Sequence, residues 1–192
     1  MTYRETSQRL ARYRGEIAEL RKQMRTLQQA IEPEEVASYE FATVQGKVSL
    51  AALFGDKDSL FVIHNMGASC PYCTLWADGF NGILPHLENR AAFVIASPDA
   101  PETQEKFKAS RGWRFRMVSH QGTSFAADMG YRGERGWLPG VSVFKRRDDN
   151  IIRVSDTGLG PGDDFCSLWH FFALLPEGSA DWRPRFSYSS ER

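Results

Sequence analysis

The spacing of apolar residues in the first thirty or so positions predicts one long helix. The apolar positions follow each other at alternating intervals of three and four residues, which is the heptad repeat of an amphipathic helix. They are Leu10, Tyr13, Ile17, Leu20, Met24, Leu27 and Ile31. Thr2 and Glu5 form a possible capping box at its start, and Pro33 predicts that it ends near Ile31. We assign this helix to residues 1–32.

The apolar stripe of this helix needs a surface to pack on. That surface is either the same helix of a second chain or the remainder of the protein, and we favour a homodimer through the N-terminal helix. Arginines and lysines on the polar faces stand beside Glu5, Glu16 and Glu19. We interpret these faces as solvated, with DNA or membrane binding as the alternative.

From about residue 36 the pattern changes to alternating strands and helices. Leu60–Asn65 and Ala92–Ala96 are nearly continuous apolar runs, which is typical of buried parallel strands. A helix follows the first of these strands, and Pro101–Arg111 predicts another with proline in its first turn. Shorter elements are expected at Tyr39–Val44 (strand), 46–59 (a turn and a brief helix), Phe115–Ser119 (strand) and Ser124–Met129 (helix).

The C-terminal part predicts a hairpin and a covering helix. Val141–Arg147 and Ile151–Thr157 flank the three-residue turn Asp148-Asp149-Asn150, and a last helix is expected over Asp163–Leu175. Parallel strands joined by helices, then a hairpin, then a helix is a thioredoxin-type order. The sequence thus predicts an α/β domain over residues 33–185 and a C-terminal tail over residues 186–192.

The composition is that of a globular protein whose positive and negative charges balance. The 192 residues are 42% hydrophobic and 12% aromatic, and the formal net charge is zero. The charge balance therefore gives no indication of nucleic acid or an anionic membrane as a partner. The N-terminus lacks the apolar core of a signal peptide, and no segment has the length of a membrane-spanning helix, so we expect a cytoplasmic protein.

The candidate chemistry lies in the run Cys70-Pro71-Tyr72-Cys73. Disulfide exchange needs one accessible thiolate and a second thiol close enough to resolve the mixed disulfide. A cysteine at the start of a helix has its thiolate stabilised by free N–H groups and the helix dipole. Pro71 suits the first helical position. We therefore expect Cys70 to attack and the more buried Cys73 to resolve.

A CxxC pair also occurs in zinc and iron–sulfur sites. Such sites usually need a second CxxC or a pair of histidines at metal spacing, and the chain contains neither. Its histidines, His64, His86, His120 and His170, are scattered singly. We therefore expect no metal and no cofactor. With only three cysteines, the chain is not a disulfide-stapled scaffold.

Pro139 is the second candidate of the site. Thioredoxin folds have a cis-proline just before the third core strand, and Pro139 precedes the strand in this order. We expect a cis Leu138–Pro139 bond, with an ordinary trans turn as the alternative. Leu138 and Gly140 would then line the substrate groove together with Tyr72 and Trp76, although Trp76 also fits a core position.

Three further residues have two interpretations each. His64, six residues before Cys70, would relay a proton to Cys73 or be a strand-end histidine of the core. Ser69 would donate a hydrogen bond to the Cys70 thiolate or cap the following helix. Cys166 lies on an apolar helix face, and we interpret it as a buried structural cysteine.

Five segments of the chain resemble a known family. HNMGASCPYCTLWADGFNG, KFKASRGWRFRMVS and PGVSVFKR, with GKVSLAALFG before them and DWRPR at the end, are similar to the domain-of-unknown-function 899 family over about residues 33–185. Members are bacterial thioredoxin-like proteins described as predicted dithiol-disulfide oxidoreductases related to alkyl hydroperoxide reductase. The resemblance implies a thioredoxin-like fold with peroxiredoxin-type N-terminal additions.

These observations lead to one functional expectation and two alternatives. We expect a thiol–disulfide oxidoreductase that acts on protein or small-molecule disulfides, with a thiol reductant of unknown identity. The first alternative is a peroxiredoxin-like peroxidase with Cys70 as the peroxidatic thiol, although Gly67 stands where peroxiredoxins usually have threonine. The second is a redox sensor or dimeric interaction module without catalytic activity.

Overall fold

The computed structural model describes residues 2–148 and 150–188. It divides the chain into two compact units, one ending at Pro33 and one beginning at Glu34. The first unit contains helix α1, Tyr3–Gln29. The predicted capping box is confirmed, because Glu5 N–H donates to Thr2 Oγ1 at 3.3 Å and Thr2 N–H donates to Glu5 Oε2 at 2.8 Å. The helix ends two residues before the predicted Ile31.

The second unit is built on one sheet with helices around it. Its strands are β1 (Glu34–Glu35), β2 (Glu40–Thr43), β3 (Gly46–Ser49), β4 (Ser59–His64), β5 (Ala92–Ser97), β6 (Arg116–Ser119), β7 (Arg132–Gly133), β8 (Gly136–Trp137), β9 (Gly140–Arg147) and β10 (Asn150–Gly158). Its helices are α2 (Pro71–Arg90), α3 (Pro101–Arg111), α4 (Phe125–Asp128) and α5 (Ser167–Phe172), with a 3-10 turn at Ala51–Phe54.

The order of strands in the main sheet is β1-β10-β9-β4-β5-β6-β2-β3, and β7 pairs only with β8 among the described strands. Strands β4, β5 and β6 are parallel, and β9 runs antiparallel beside β4. His64 pairs with Ala96 and with Gly140, and Ser97 pairs with Ser119. The carboxyl ends of three strands and the start of β9 therefore meet at one edge of the sheet.

Both faces of the central sheet are buried, which explains the continuous apolar runs of β4 and β5. Successive side chains point to opposite faces. Phe93 and Ile95 accordingly join one core cluster, and Val94 and Ala96 join the other. The first cluster also holds residues of α2, including Trp76.

Three predicted boundaries are wrong. Gly46–Ser49 is a strand that pairs with β2, not a turn. Asn150 pairs with Arg147 and so belongs to β10 rather than to the turn, while Asp149 lies outside the described residues. The last helix is shorter than predicted, because the Asp163 carboxylate accepts hydrogen bonds from the N–H groups of Phe165 and Cys166 and holds a turn before it.

The short strands β1, β7 and β8 were not predicted from the sequence. Each spans two residues and is defined by its pairing rather than by an apolar pattern. Among the helices of the described ranges, none has both the length and the apolar character that crossing a membrane requires.

Candidate active site at the start of helix α2

The two thiols lie at the N-terminus of α2, as predicted. Cys70 is the N-cap residue, and its Sγ accepts a hydrogen bond from Cys73 N–H at 3.1 Å. Pro71 occupies the first turn. The Thr74 hydroxyl and N–H both donate to the carbonyl of Cys70 at 3.0 Å. The helix start therefore fixes the backbone of Cys70 and directs N–H groups at its sulfur.

This arrangement lowers the pKa of the Cys70 thiol to about 7. The largest cause is the hydrogen bond from the Cys73 thiol, and partial burial of Cys70 opposes it. The backbone N–H groups of Cys73 and Tyr72 lower the pKa further. At neutral pH about half of Cys70 is then thiolate, the form that attacks disulfides.

Cys73 is the more buried thiol, with 3% of its surface exposed, as predicted. Its pKa is raised, first because its thiol donates to Cys70, then because of burial and the negative charge on Cys70. Met66 N–H donates to Cys73 Sγ at 3.4 Å. The two thiols therefore have unequal acidities: Cys70 is the more acidic one, and Cys73 stays protonated at neutral pH.

The loop that leads from β4 to Cys70 is held by two side chains from the sheet edge. Asn65 Oδ1 accepts from Gly67 N–H, and Asp99 Oδ2 accepts from Ala68 N–H, both at 2.8 Å. Gly67 has a φ of 111°, and a Cβ there would lie 3.0 Å from Asp99 Oδ1. Glycine thus lets the loop pass close to the Asp99 carboxylate.

Replacing Asp99 by alanine removes the acceptor of Ala68 N–H and of the Ser97 hydroxyl, which donates to Asp99 at 3.2 Å. We expect the free energy of unfolding to fall by about 1–3 kcal/mol, because those donors lose their partner. Urea denaturation measures this. Asp58→Ala is the control, because Asp58 is exposed; an equal loss in both variants would contradict the assigned role of Asp99.

Helix α2 is tied to the end of α3 and the segment after it by the Asp78 carboxylate. It accepts a bidentate hydrogen bond from Arg111 and one from Trp113 Nε1 at 2.8 Å. Three residues on, Asn81 Oδ1 accepts from Arg114 N–H at 2.8 Å. The two acceptors, Asp78 and Asn81, lie in the segment CTLWADGFNG, and their donors lie in the segment KFKASRGWRFRMVS. These family-like motifs therefore brace the helix that carries the two cysteines.

The Leu138–Pro139 bond is trans, since the described residues contain no cis peptide bond. The prediction of a cis bond is wrong, and the bond adopts the isomer that X–Pro bonds favour by about 0.5–1 kcal/mol. Pro139 nevertheless lies near the Cys73 thiol. With Cys73, His64 and Asn65 it lines a cavity of about 10 Å³, roughly the space of one water molecule.

Two of the four predicted groove residues do not line a surface. Trp76 is buried in the core and donates from Nε1 to Asp163 at 3.4 Å, and Gly140 is buried beneath the Tyr131 ring. Tyr72 is half-buried and stacks on Trp169 at a centroid distance of 6.3 Å. Leu138 is 46% exposed. Only Tyr72 and Leu138 of this group remain accessible.

His64 is a core histidine at the end of β4. Its ring stacks on Tyr131 at 3.8 Å, and its Nε2 lies 2.9 Å from Ser142 Oγ. Burial is the largest cause that lowers the pKa of His64, to about 3, so the ring is neutral at physiological pH. It lines the cavity beside Cys73, but its hydrogen bond goes to Ser142. The geometry favours the structural interpretation over the proton relay.

Ser69 neither caps α2 nor binds the Cys70 sulfur. Its side chain is exposed, and Cys70 itself is the N-cap. Both proposed roles of Ser69 are therefore wrong, because the helix begins one residue later than a serine cap would require. Cys166 is 8% exposed in the same core cluster as Trp76, which confirms it as a buried cysteine.

Asp99, Tyr131 and His120 also lie at this edge and were not among the residues predicted from the sequence. Asp99 follows β5 in the run Ser97-Pro98-Asp99, and the carboxyl ends of neighbouring parallel strands lie together. The position of Asp99 after a predicted parallel strand could therefore have identified it as a candidate residue of this edge. The roles of Tyr131 and the buried His120 depend on ring packing across the chain, which spacing does not reveal. No group of three or more His, Cys, Asp or Glu in the described ranges is arranged to bind a metal.

Comparison with known proteins gives one family and a set of structures. The model of the family described as "Bacterial protein of unknown function (DUF899)" matches residues 3–189. A search of curated proteins found no significant match. Peroxidoxin BcpB from Mycobacterium tuberculosis has a TM-score of 0.52 and 25% identity, over 66% of this chain and 84% of that one.

Two further structures are similar in fold. PrxQ from Xylella fastidiosa has a TM-score of 0.55 and 15% identity, over 68% of this chain and 87% of that one. Peroxiredoxin Q from Xanthomonas campestris has a TM-score of 0.53 and 18% identity, over 62% and 79%. These similarities confirm the predicted thioredoxin-like fold.

Proposed function

The chain belongs to the DUF899 family of bacterial proteins, and we propose that it is a thiol–disulfide oxidoreductase with Cys70 as nucleophile and Cys73 as resolving thiol. One observation carries the proposal. Cys70 is a partly exposed thiol whose pKa is lowered to about 7 by Cys73 and by N–H groups of the helix start, while the pKa of Cys73 is raised. This asymmetry is what a dithiol exchange cycle requires.

In the first step the Cys70 thiolate attacks one sulfur of the substrate disulfide. A bond forms between that sulfur and Cys70 Sγ, and the substrate S–S bond breaks. The other substrate sulfur leaves with the electron pair as a thiolate. The product is a mixed disulfide on Cys70.

In the second step Cys73 attacks Cys70 Sγ. In the reduced protein the Cys70 thiolate raises the pKa of Cys73 in two ways, by accepting a hydrogen bond from the Cys73 thiol and by its negative charge. Both disappear once Cys70 is in a mixed disulfide, so the pKa of Cys73 falls when its thiolate is needed. Cys73 loses its proton to solvent, the Cys70–Cys73 disulfide forms, and the second substrate thiolate leaves. A thiol reductant then returns the pair to the dithiol.

The rate at which iodoacetamide alkylates Cys70 is expected to follow a single titration with a midpoint near pH 7. Below that pH the thiol is protonated and unreactive, so the rate at pH 6 is about a tenth of the plateau value. Mass spectrometry of the alkylated chain assigns the reaction to Cys70. A midpoint near 8.5, the value of an unperturbed cysteine, would contradict the proposed activation.

Cys73→Ala is the matched variant for this titration. It removes the thiol that contributes most to the lowered pKa of Cys70, but it keeps the backbone N–H groups. We expect the midpoint to move up towards 8.5. An unchanged midpoint would show that Cys73 does not activate Cys70.

A peroxidase is the second candidate, supported by the 25% identity to a mycobacterial peroxidoxin. The Cys70 thiolate would attack a hydroperoxide, take up one oxygen as sulfenic acid and release an alcohol or water. Condensation with Cys73 would then release water and form the disulfide. Against this candidate, the groups that lower the pKa of Cys70 are the Cys73 thiol and backbone N–H groups rather than an arginine.

One pair of assays separates the two candidates. Stopped-flow oxidation of the reduced protein by hydrogen peroxide is compared with reduction of insulin and of a glutathione mixed disulfide. We expect disulfide exchange to be the faster reaction. Fast consumption of peroxide with slow disulfide exchange would replace the proposed function by the peroxidase.

A further inference from the structure

We infer that helix α1 forms a parallel, two-stranded coiled coil with the same helix of a second copy of the chain. This inference concerns assembly and does not depend on the proposed function. Helix α1 spans 27 residues, and none of them is buried. Most helices in proteins are stabilised by packing of an apolar face, so a helix of this kind needs a partner surface.

The apolar seam of α1 is exposed along its length. Leu10 is 46% exposed, Tyr13 is 42%, Ile17 is 47%, Leu20 is 58%, Met24 is 66% and Leu27 is 71%. These residues keep a strict heptad repeat, in which seam positions a and d alternate at intervals of three and four residues. A strict seven-residue repeat is the pattern of a two-helix seam rather than of a helix that packs on a sheet.

The residue types at the seam favour two strands over three. With Leu10 at position a, Ile17 and Met24 follow at a, and the d positions hold Tyr13, Leu20 and Leu27. Isoleucine at a with leucine at d favours a parallel dimer. Met24 at a is flexible and fits the same packing.

The charges beside the seam favour the parallel orientation. In a parallel pair each residue at position g faces the residue at e five positions later in the other helix. Glu16 then faces Arg21 of the second copy, an attraction that occurs twice by symmetry. Arg9 faces Arg14 of the second copy, and this repulsion counteracts the attraction. The pair of Gln23 and Gln28 is neutral.

An antiparallel pair has no such attraction. There, residues at e face e of the other helix and residues at g face g. With the whole seam overlapped, Arg14 faces Arg21 of the second copy twice, while Glu16 faces the neutral Gln23. Like charges at these positions are destabilising. In the parallel pair one attraction balances one repulsion, whereas the antiparallel pair has the repulsion alone, so the charges favour the parallel pair.

Light scattering on the full-length chain tests the assembly. We expect twice the chain mass of 21.8 kDa at micromolar concentration. Leu20→Glu places a charge in the seam and should give monomers, whereas Ala18→Glu, on the polar face, should keep the dimer. A monomeric or trimeric wild-type chain, or equal effects of both variants, would overturn the inference. Circular dichroism confirms that both variants are folded.

Charge exchange and cross-linking test the orientation. Glu16→Arg should weaken the dimer about tenfold, and adding Arg21→Glu should restore it. In a chain with Cys70 and Cys73 replaced by serine, Leu10→Cys should cross-link to itself on oxidation. A mixture of Leu10→Cys and Leu27→Cys chains that cross-links only as the mixed pair would show an antiparallel dimer and overturn the proposed orientation.

Discussion

Replacing Cys70 by serine is expected to reduce the rate of disulfide reduction by about a thousandfold or more, because the nucleophile that starts the cycle is removed. The serine hydroxyl would stay protonated near neutral pH and could not replace the thiolate. The fold should be retained, since Cys70 is partly exposed and its N-cap role suits serine. Turnover of an insulin or glutathione mixed-disulfide substrate measures the effect.

Two further cysteine variants sharpen this prediction. Cys73→Ser keeps the attacking thiol but removes the resolving one, so the chain should accumulate as a mixed disulfide on Cys70, visible by intact mass. Cys166→Ser should keep turnover within about twofold, because Cys166 is a buried residue of the core cluster and takes no part in the proposed exchange cycle. Residual activity of Cys70→Ser within tenfold of wild type would contradict the mechanism.

Replacing Gly140 by alanine is expected to lower the free energy of unfolding by about 3 kcal/mol. The new Cβ would lie 1.9 Å from Tyr131 Cε1 and 2.8 Å from the carbonyl of Thr157. Tyr131 has little freedom to move, because it stacks on His64 and its hydroxyl lies 3.0 Å from the same carbonyl. Thermal unfolding should show a Tm lowered by about 10 °C.

Gly158→Ala is the matched control for Gly140. Gly158 pairs directly with Gly140 in the neighbouring strand, but the nearest atom to its added Cβ is 4.0 Å away. We expect a change within about 0.5 kcal/mol. If the two variants lose the same stability, the Tyr131 ring does not restrict position 140, and the packing described at this sheet edge is incorrect.

Local patterns were sufficient to predict the central elements. The apolar runs of β4 and β5 gave nearly correct strands because both faces of those strands are buried, and Pro101 and Gly112 bracket α3 by the usual start and stop preferences. The location of the thiol pair was also predictable, because a CxxC between a buried strand and a helix indicates a pair of thiols at the start of that helix.

Other features depend on contacts between distant segments. The burial of Gly140 results from the Tyr131 ring, and the acceptor for Trp76 Nε1 is the distant Asp163. Neither contact follows from the residue's own sequence neighbours. The isomer of the bond before Pro139 likewise depends on its surroundings, and the analogy that predicted a cis bond failed. Ser69 was misplaced because Cys70 takes the capping position itself.

The most direct test is a redox titration of the full-length protein in glutathione buffers of graded potential. Free thiols are trapped by alkylation, and the fraction of disulfide is determined by mass spectrometry of peptides. The proposed cycle predicts one reversible disulfide between Cys70 and Cys73, with a midpoint roughly between −270 and −200 mV, the range from thioredoxin to glutaredoxins. Failure to form that disulfide reversibly, or pairing of Cys70 with Cys166 instead, would contradict it.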